Sequence, residues 1–69
     1  SEETITLKQD KDIVKVITKT KLLSLELFNT KGQRVNYVEG NEVRLPSKGV
    51  FLLTITTEKG KTQKKVINL

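Results

Sequence analysis

Apolar positions along this chain recur with a spacing of two, the period of an extended strand, and not with the three-to-four spacing of a helix. The stretch that shows it most strongly is Val50-Phe51-Leu52-Leu53-Thr54-Ile55, which opens after Pro46 and Gly49. Its apolar residues occupy both parities, Val50 and Leu52 on one and Phe51, Leu53 and Ile55 on the other. That predicts a central strand covered on both faces for much of its length. Thr57-Glu58-Lys59-Gly60 then predicts a tight turn with Gly60 at positive φ. The answering strand runs from Thr62 to Leu69, polar at first and apolar at Val66, Ile67 and Leu69.

The earlier segments follow the same logic. Ser1 to Glu3 is polar and expected to fray. Thr4–Lys8 alternates and predicts a short strand, Gln9–Asp12 a polar turn, and the β-branched run Ile13–Thr18 a second strand. Leu23, Leu25 and Leu27 share one face of a strand over Leu22–Phe28, with Ser24 and Glu26 opposite. Asn29-Thr30-Lys31-Gly32 ends in the same Lys-Gly pair as the turn at Gly60, and both predict a type I turn followed by a glycine bulge. Gln33–Val38 returns, Glu39-Gly40-Asn41 turns, and Glu42–Leu45 is a brief strand that stops at Pro46. About seven short strands with regular turn signals, and no helical pattern, predict an all-β fold: an antiparallel β-sandwich or small barrel. Nothing divides residues 1–69, so one domain is expected.

Composition narrows the chemistry. The chain has neither cysteine nor histidine. This removes disulfides, thiolate chemistry and the commonest proton shuttle. Asp10 and Asp12 have a spacing that could meet a hard cation, but a calcium loop supplies more oxygens in a longer frame, so a solvated turn is expected. Ser47 and Lys48 are neighbours on an extended chain and point apart, so they form no catalytic pair. Phe28, Tyr37 and Phe51 are the only aromatics, and both phenylalanines lie in apolar strands that read as core. The expectation is a non-enzyme without cofactor or metal, a binding, structural or recognition module.

Thirteen Lys and Arg against eight Asp and Glu give a net charge of +5. The lysines stand mostly singly between apolar residues, the pattern of guarded strand edges more than of a nucleic-acid surface. An edge strand also leaves a dimer possible. No run is long enough to span a membrane and no signal peptide is present. With no Met anywhere, a chain starting at Ser1 is expected to be a piece of a longer protein.

Three stretches taken together carry a resemblance: Leu25-Glu26-Leu27-Phe28-Asn29-Thr30-Lys31-Gly32-Gln33-Arg34-Val35, then Val43-Arg44-Leu45-Pro46-Ser47-Lys48-Gly49-Val50-Phe51-Leu52-Leu53-Thr54-Ile55, then Lys64-Lys65-Val66-Ile67-Asn68-Leu69. Their order, and an ending in Lys-Val-Ile plus two residues, is similar to the C-terminal sorting domain of type IX (Por) secretion cargo in Bacteroidetes. Asn29 stands where that family usually has Asp, and Phe51 where it more often has Tyr. The Asn-Pro element that often opens the family's first strand is missing before Ile5. The resemblance implies an immunoglobulin-like sandwich that serves as an export address. It also implies transit through the periplasm, partners among the outer-membrane translocon, shuttle and sortase proteins, removal by the sortase in most cargo, and a parent protein at the cell surface or beyond. The residues expected to be read are Gly49, Val50, Phe51, Leu52, Lys64, Lys65, Val66, Ile67, Asn68 and Leu69, with Gly32 and Gly60 as turn glycines. Val66, Ile67 and Leu69 could equally complete the core, and both roles can hold at once. The alternative is an adhesion or carbohydrate-binding module of a surface protein, which a cluster of exposed aromatics would favour. A basic nucleic-acid-binding barrel is the other, marked by steep salt dependence.

Overall fold

The computed structural model describes residues 5–35 and 38–69. Among them the secondary structure is all strand, with no helix. The elements are β1 (Ile5–Asp10), β2 (Ile13–Thr18), β3 (Leu22–Asn29), β4 (Arg34–Val35), β5 (Val38–Glu39), β6 (Glu42–Arg44), β7 (Gly49–Thr57) and β8 (Gly60–Asn68). They form two four-stranded antiparallel sheets, one ordered β1-β2-β6-β5 and the other β4-β3-β7-β8. Lettered in chain order, the first is the A-B-E-D sheet of an immunoglobulin-type sandwich, and the second is its C-F-G sheet with one short strand added beside C. The expected sandwich is therefore the observed one.

Local chemistry explains the connections. Asn29 accepts the amides of Lys31 and Gln33 on its Oδ1, both at 2.9 Å. The Gly32 amide donates to the Asn29 carbonyl and the Asn29 amide to the Gln33 carbonyl, each at 3.0 Å. This is the three-residue loop with a glycine bulge that the sequence predicts, and Gly32 has φ +81°. Gly60 also has positive φ, +130°. The bulge expected there is missing, because pairing runs unbroken from Thr57↔Gly60 to Gly49↔Asn68. A two-residue loop, Glu58-Lys59, leaves no extra residue to accommodate.

The core takes Val14, Val16 and Val43 from the first sheet, Leu45 from just after β6, and Leu25, Leu27, Phe51, Leu53, Ile55 and Val66 from the second sheet. Ile5, Leu7, Leu22, Val35 and Val38 pack against it from the periphery. Leu25, Leu27, Leu53 and Ile55, the residues at the centre of the predicted strands, are all buried.

Several expectations are corrected. The polar turn over Gln9–Asp12 is only Lys11-Asp12, since Gln9 and Asp10 continue β1 opposite Val14 and Ile13. The single strand expected over Gln33–Val38 is divided: β4 joins β3 in one sheet and β5 joins β6 in the other. Tyr37 and the residues before Ile5 lie outside the described residues. Leu23 does not share the inner face of Leu25 and Leu27. A bulge between Leu22 and Ser24 shifts the register against β7, so Leu22 turns toward the core and Leu23 is 56% exposed.

Candidate functional site

Strand β7 is central in its sheet, bonded to β3 on one side and β8 on the other. Its alternation sends Phe51, Leu53, Ile55 and Thr57 inward, where all four are buried. The other parity is not covered as the sequence suggested, for Val50 is 38% and Leu52 41% exposed. The physical reason is the two-layer architecture. Strands apolar on both faces need a second covering layer, and among the described residues this outer face has none.

The two stretches singled out from sequence prove to be neighbours on this sheet. Gly49 pairs with Asn68, Val50 with Ile67, Phe51 with Val66, Leu52 with Lys65 and Leu53 with Lys64. They divide by parity. Phe51 and Val66 are part of the core. Val50, Leu52, Lys65 and Ile67 lie on the outer face, with Ile67 46% exposed. Lys64 has the inner parity, opposite Leu53, yet stays exposed at the sheet margin. Of the three apolar residues expected to complete the core at the end of the chain, only Val66 does so; Leu69 follows β8 at 95% exposure.

Sequence reasoning missed a fifth member of the outer patch. Phe28, assigned to the core, pairs with Leu52 on one side and Arg34 on the other, and is only half-buried. Its parity, opposite to that of Leu25 and Leu27, was the signal that could have placed it. The outer face therefore carries a row Arg34–Phe28–Leu52–Lys65 beside the pair Val50–Ile67. The next row, Glu26–Thr54–Gln63, is polar. There Glu26 faces Arg34 at 3.7 Å and the Gln63 side-chain amide donates to the Thr54 hydroxyl at 3.4 Å. Thr54 is buried between its two long neighbours, which closes the apolar patch on that side.

The margins of this region are tied down. Gly49 enters β7 at φ +126°, and a Cβ there would meet nothing within 4 Å, so backbone conformation and not space selects glycine. Asn68 donates from Nδ2 to the Ser47 carbonyl at 2.8 Å, fastening the Pro46–Lys48 loop to the end of β8. Gln9 of β1 donates from Nε2 to the Ile67 carbonyl at 2.9 Å, joining the two sheets at the same corner. Ser47 and Lys48 are exposed loop residues. Asp12 holds Arg44 at 3.8 Å through its carboxylate, and its carbonyl accepts the Leu45 amide at 2.7 Å. Comparison with protein-family models, with curated proteins and with solved structures gave no match to this chain.

Proposed function

We propose that this domain is a secretion signal of the type IX kind, which directs its parent protein from the periplasm across the outer membrane. In this reading the translocon and its shuttle protein engage the folded domain, and a surface sortase then removes it in most cargo. The observation that carries the proposal is the convergence of the resembling stretches. Segments distant in sequence, 25–35, 49–55 and 64–68, lie on adjacent strands of one sheet and expose a single patch made of Phe28, Val50, Leu52, Lys65 and Ile67. An address carried by unrelated cargoes must reside in such a self-contained surface, and an exposed apolar patch rimmed by charge is a usual form of interaction site.

The test fuses residues 1–69 behind a periplasmic reporter in a bacterium with type IX secretion. The intact domain is expected to carry the reporter to the cell surface, and removal of Val66–Leu69 to abolish export. Because that truncation removes a core residue, a second variant, Val50→Thr/Leu52→Thr, keeps strand propensity and inner-face packing while erasing the outer patch. Export lost with an unchanged melting temperature supports recognition of the face. Surface delivery of the truncated fusion would sink the proposal.

A further inference from the structure

The long edge of the second sheet is open. Strand β8 is nine residues long and, among the described residues, is bonded on one side only, to β7. In a two-residue hairpin the residues flanking the loop exchange backbone hydrogen bonds, and bonded pairs then recur at every second position. Thr57↔Gly60 is the flanking pair here, so Thr62, Lys64, Val66 and Asn68 bond to β7. Lys61, Gln63, Lys65 and Ile67 direct their N–H and C=O groups away from it. The Ile67 carbonyl agrees with this, since it is the one that accepts the Gln9 side chain. No described residue pairs with the backbone edge of Lys61, Gln63 and Lys65.

This edge differs from the other three. Strands β4 and β5 are two residues each, too short to template another strand, and β1 carries both signs of charge in Lys8 and Asp10. On β8 the register is unbroken, with no bulge and no proline, and the side chains carry one sign only: Lys61, Lys64 and Lys65, with no carboxylate in the strand. Among the described residues no acidic group forms an ion pair with these lysines.

We propose that the free edge of β8 from Lys61 to Lys65 is a strand-addition site for an extended acidic segment of another protein. The backbone groups supply the ladder, and carboxylates placed opposite Lys61 and Lys65 supply the pairing preference. A second copy of this chain is the wrong occupant. Antiparallel self-pairing centred on Gln63 sets Lys61 against Lys65, and centring on Lys64 sets that lysine against itself. Like charges directly opposite oppose such pairing. The same lysines that guard the edge against its own kind thus favour an acidic strand. This inference concerns the backbone edge; it shares Lys65 with the outer patch and does not rest on the export reading.

The probe is a synthetic peptide of alternating Glu and Val, with an alternating Lys and Val peptide as control, titrated into the 69-residue protein and followed by amide NMR. The Glu-Val peptide is expected to bind and to slow exchange at the Lys61, Gln63 and Lys65 amides. The Thr62 and Lys64 amides, already bonded to β7, should change little. Lys61→Glu/Lys65→Glu should reverse the preference between the two peptides. Gln63→Pro removes one outward N–H without breaking the ladder to β7, a placement that edge strands tolerate. It should weaken Glu-Val binding by about tenfold or more, the loss of part of a short ladder. Four results would overturn the proposal. Undiminished binding by a folded Gln63→Pro variant, or binding of the Glu-Val peptide without protection of the three amides, leaves only charge attraction. An oligonucleotide that binds more tightly at the same lysines makes the edge a nucleic-acid surface. Concentration-dependent protection without peptide assigns the edge to a second copy. The exchange measurement on the unsubstituted protein decides the matter even if a variant fails to fold.

Discussion

Three residues with positive φ mark how turn chemistry is distributed among the side chains. At Gly32 and Gly60 a Cβ would meet no heavy atom within 4 Å, so the only penalty for a side chain is conformational. Valine at either position should cost about 1–2 kcal/mol, because an L residue is crowded by its own carbonyl in that region. A melting temperature unchanged by both substitutions would refute the turn assignment. Lys11 is the contrasting case: it sits at φ +58° in a turn of only two residues, where nothing in its side chain relieves the crowding. The Gln9 side-chain amide braces it by donating to the Lys11 carbonyl at 3.1 Å. Asparagine tolerates this conformation without the added chain entropy of glycine. Lys11→Asn should therefore stabilise the domain by about 0.5 kcal/mol, roughly 2–4 °C in a chain of this size. A fall in melting temperature would show that the lysine is held there by something other than tolerance.

At the scale of the element, β7 separates two kinds of apolar residue in one run of sequence. Leu53 is fully buried between the sheets, and Leu53→Ala should cost about 2–5 kcal/mol, close to the whole stability of a small domain. Leu52, its neighbour, faces outward, and Leu52→Thr should change stability by less than about 1 kcal/mol. Equal losses on thermal or urea unfolding would mean that the outer face is covered. This pair also shows what was legible beforehand. The strands, their turns and the inner residues could be read because alternation and glycine placement are local signals. Whether a doubly apolar strand is covered on its second face depends on how many layers the fold has, which no local pattern records. For the same reason Phe28 read as core, and Leu23 was misplaced because a bulge in β3 inverts parity without any glycine to mark it. The placing of Arg34–Val35 in one sheet and Val38–Glu39 in the other left no trace in the sequence. Of the candidate site, the pairing of Gly49–Leu52 with Lys65–Asn68 was legible in outline, as a hairpin. Its sidedness was not.

For the whole molecule, the consequence is an uneven distribution of stability between centre and margins. Strands β3 and β7 supply five of the ten core residues among the described residues, and β7 is bonded along its length on both sides. No disulfide reinforces the sandwich, so opening is resisted by packing and by the ladder alone. Strands β4 and β5 contribute only partly buried side chains, Val35 and Val38, and two residues of pairing each. Their removal from the sheets exposes little apolar surface and breaks few bonds. Native-state hydrogen exchange should accordingly divide into two regimes. The β7 amides from Phe51 to Ile55 should exchange only through global unfolding, with a denaturant dependence equal to that of the whole domain. Amides of Val35, Val38 and Glu39 should exchange by local opening, faster and nearly independent of denaturant. The outer half of β8 is the informative intermediate: amides at Thr62 and Lys64 should follow β7, while those at Lys61 and Gln63, pointing from the free edge, should exchange as exposed groups. Strong protection at Lys61 and Gln63 in dilute, peptide-free solution would mean that this edge is already covered, and both the open-edge geometry and the strand-addition site would have to be abandoned.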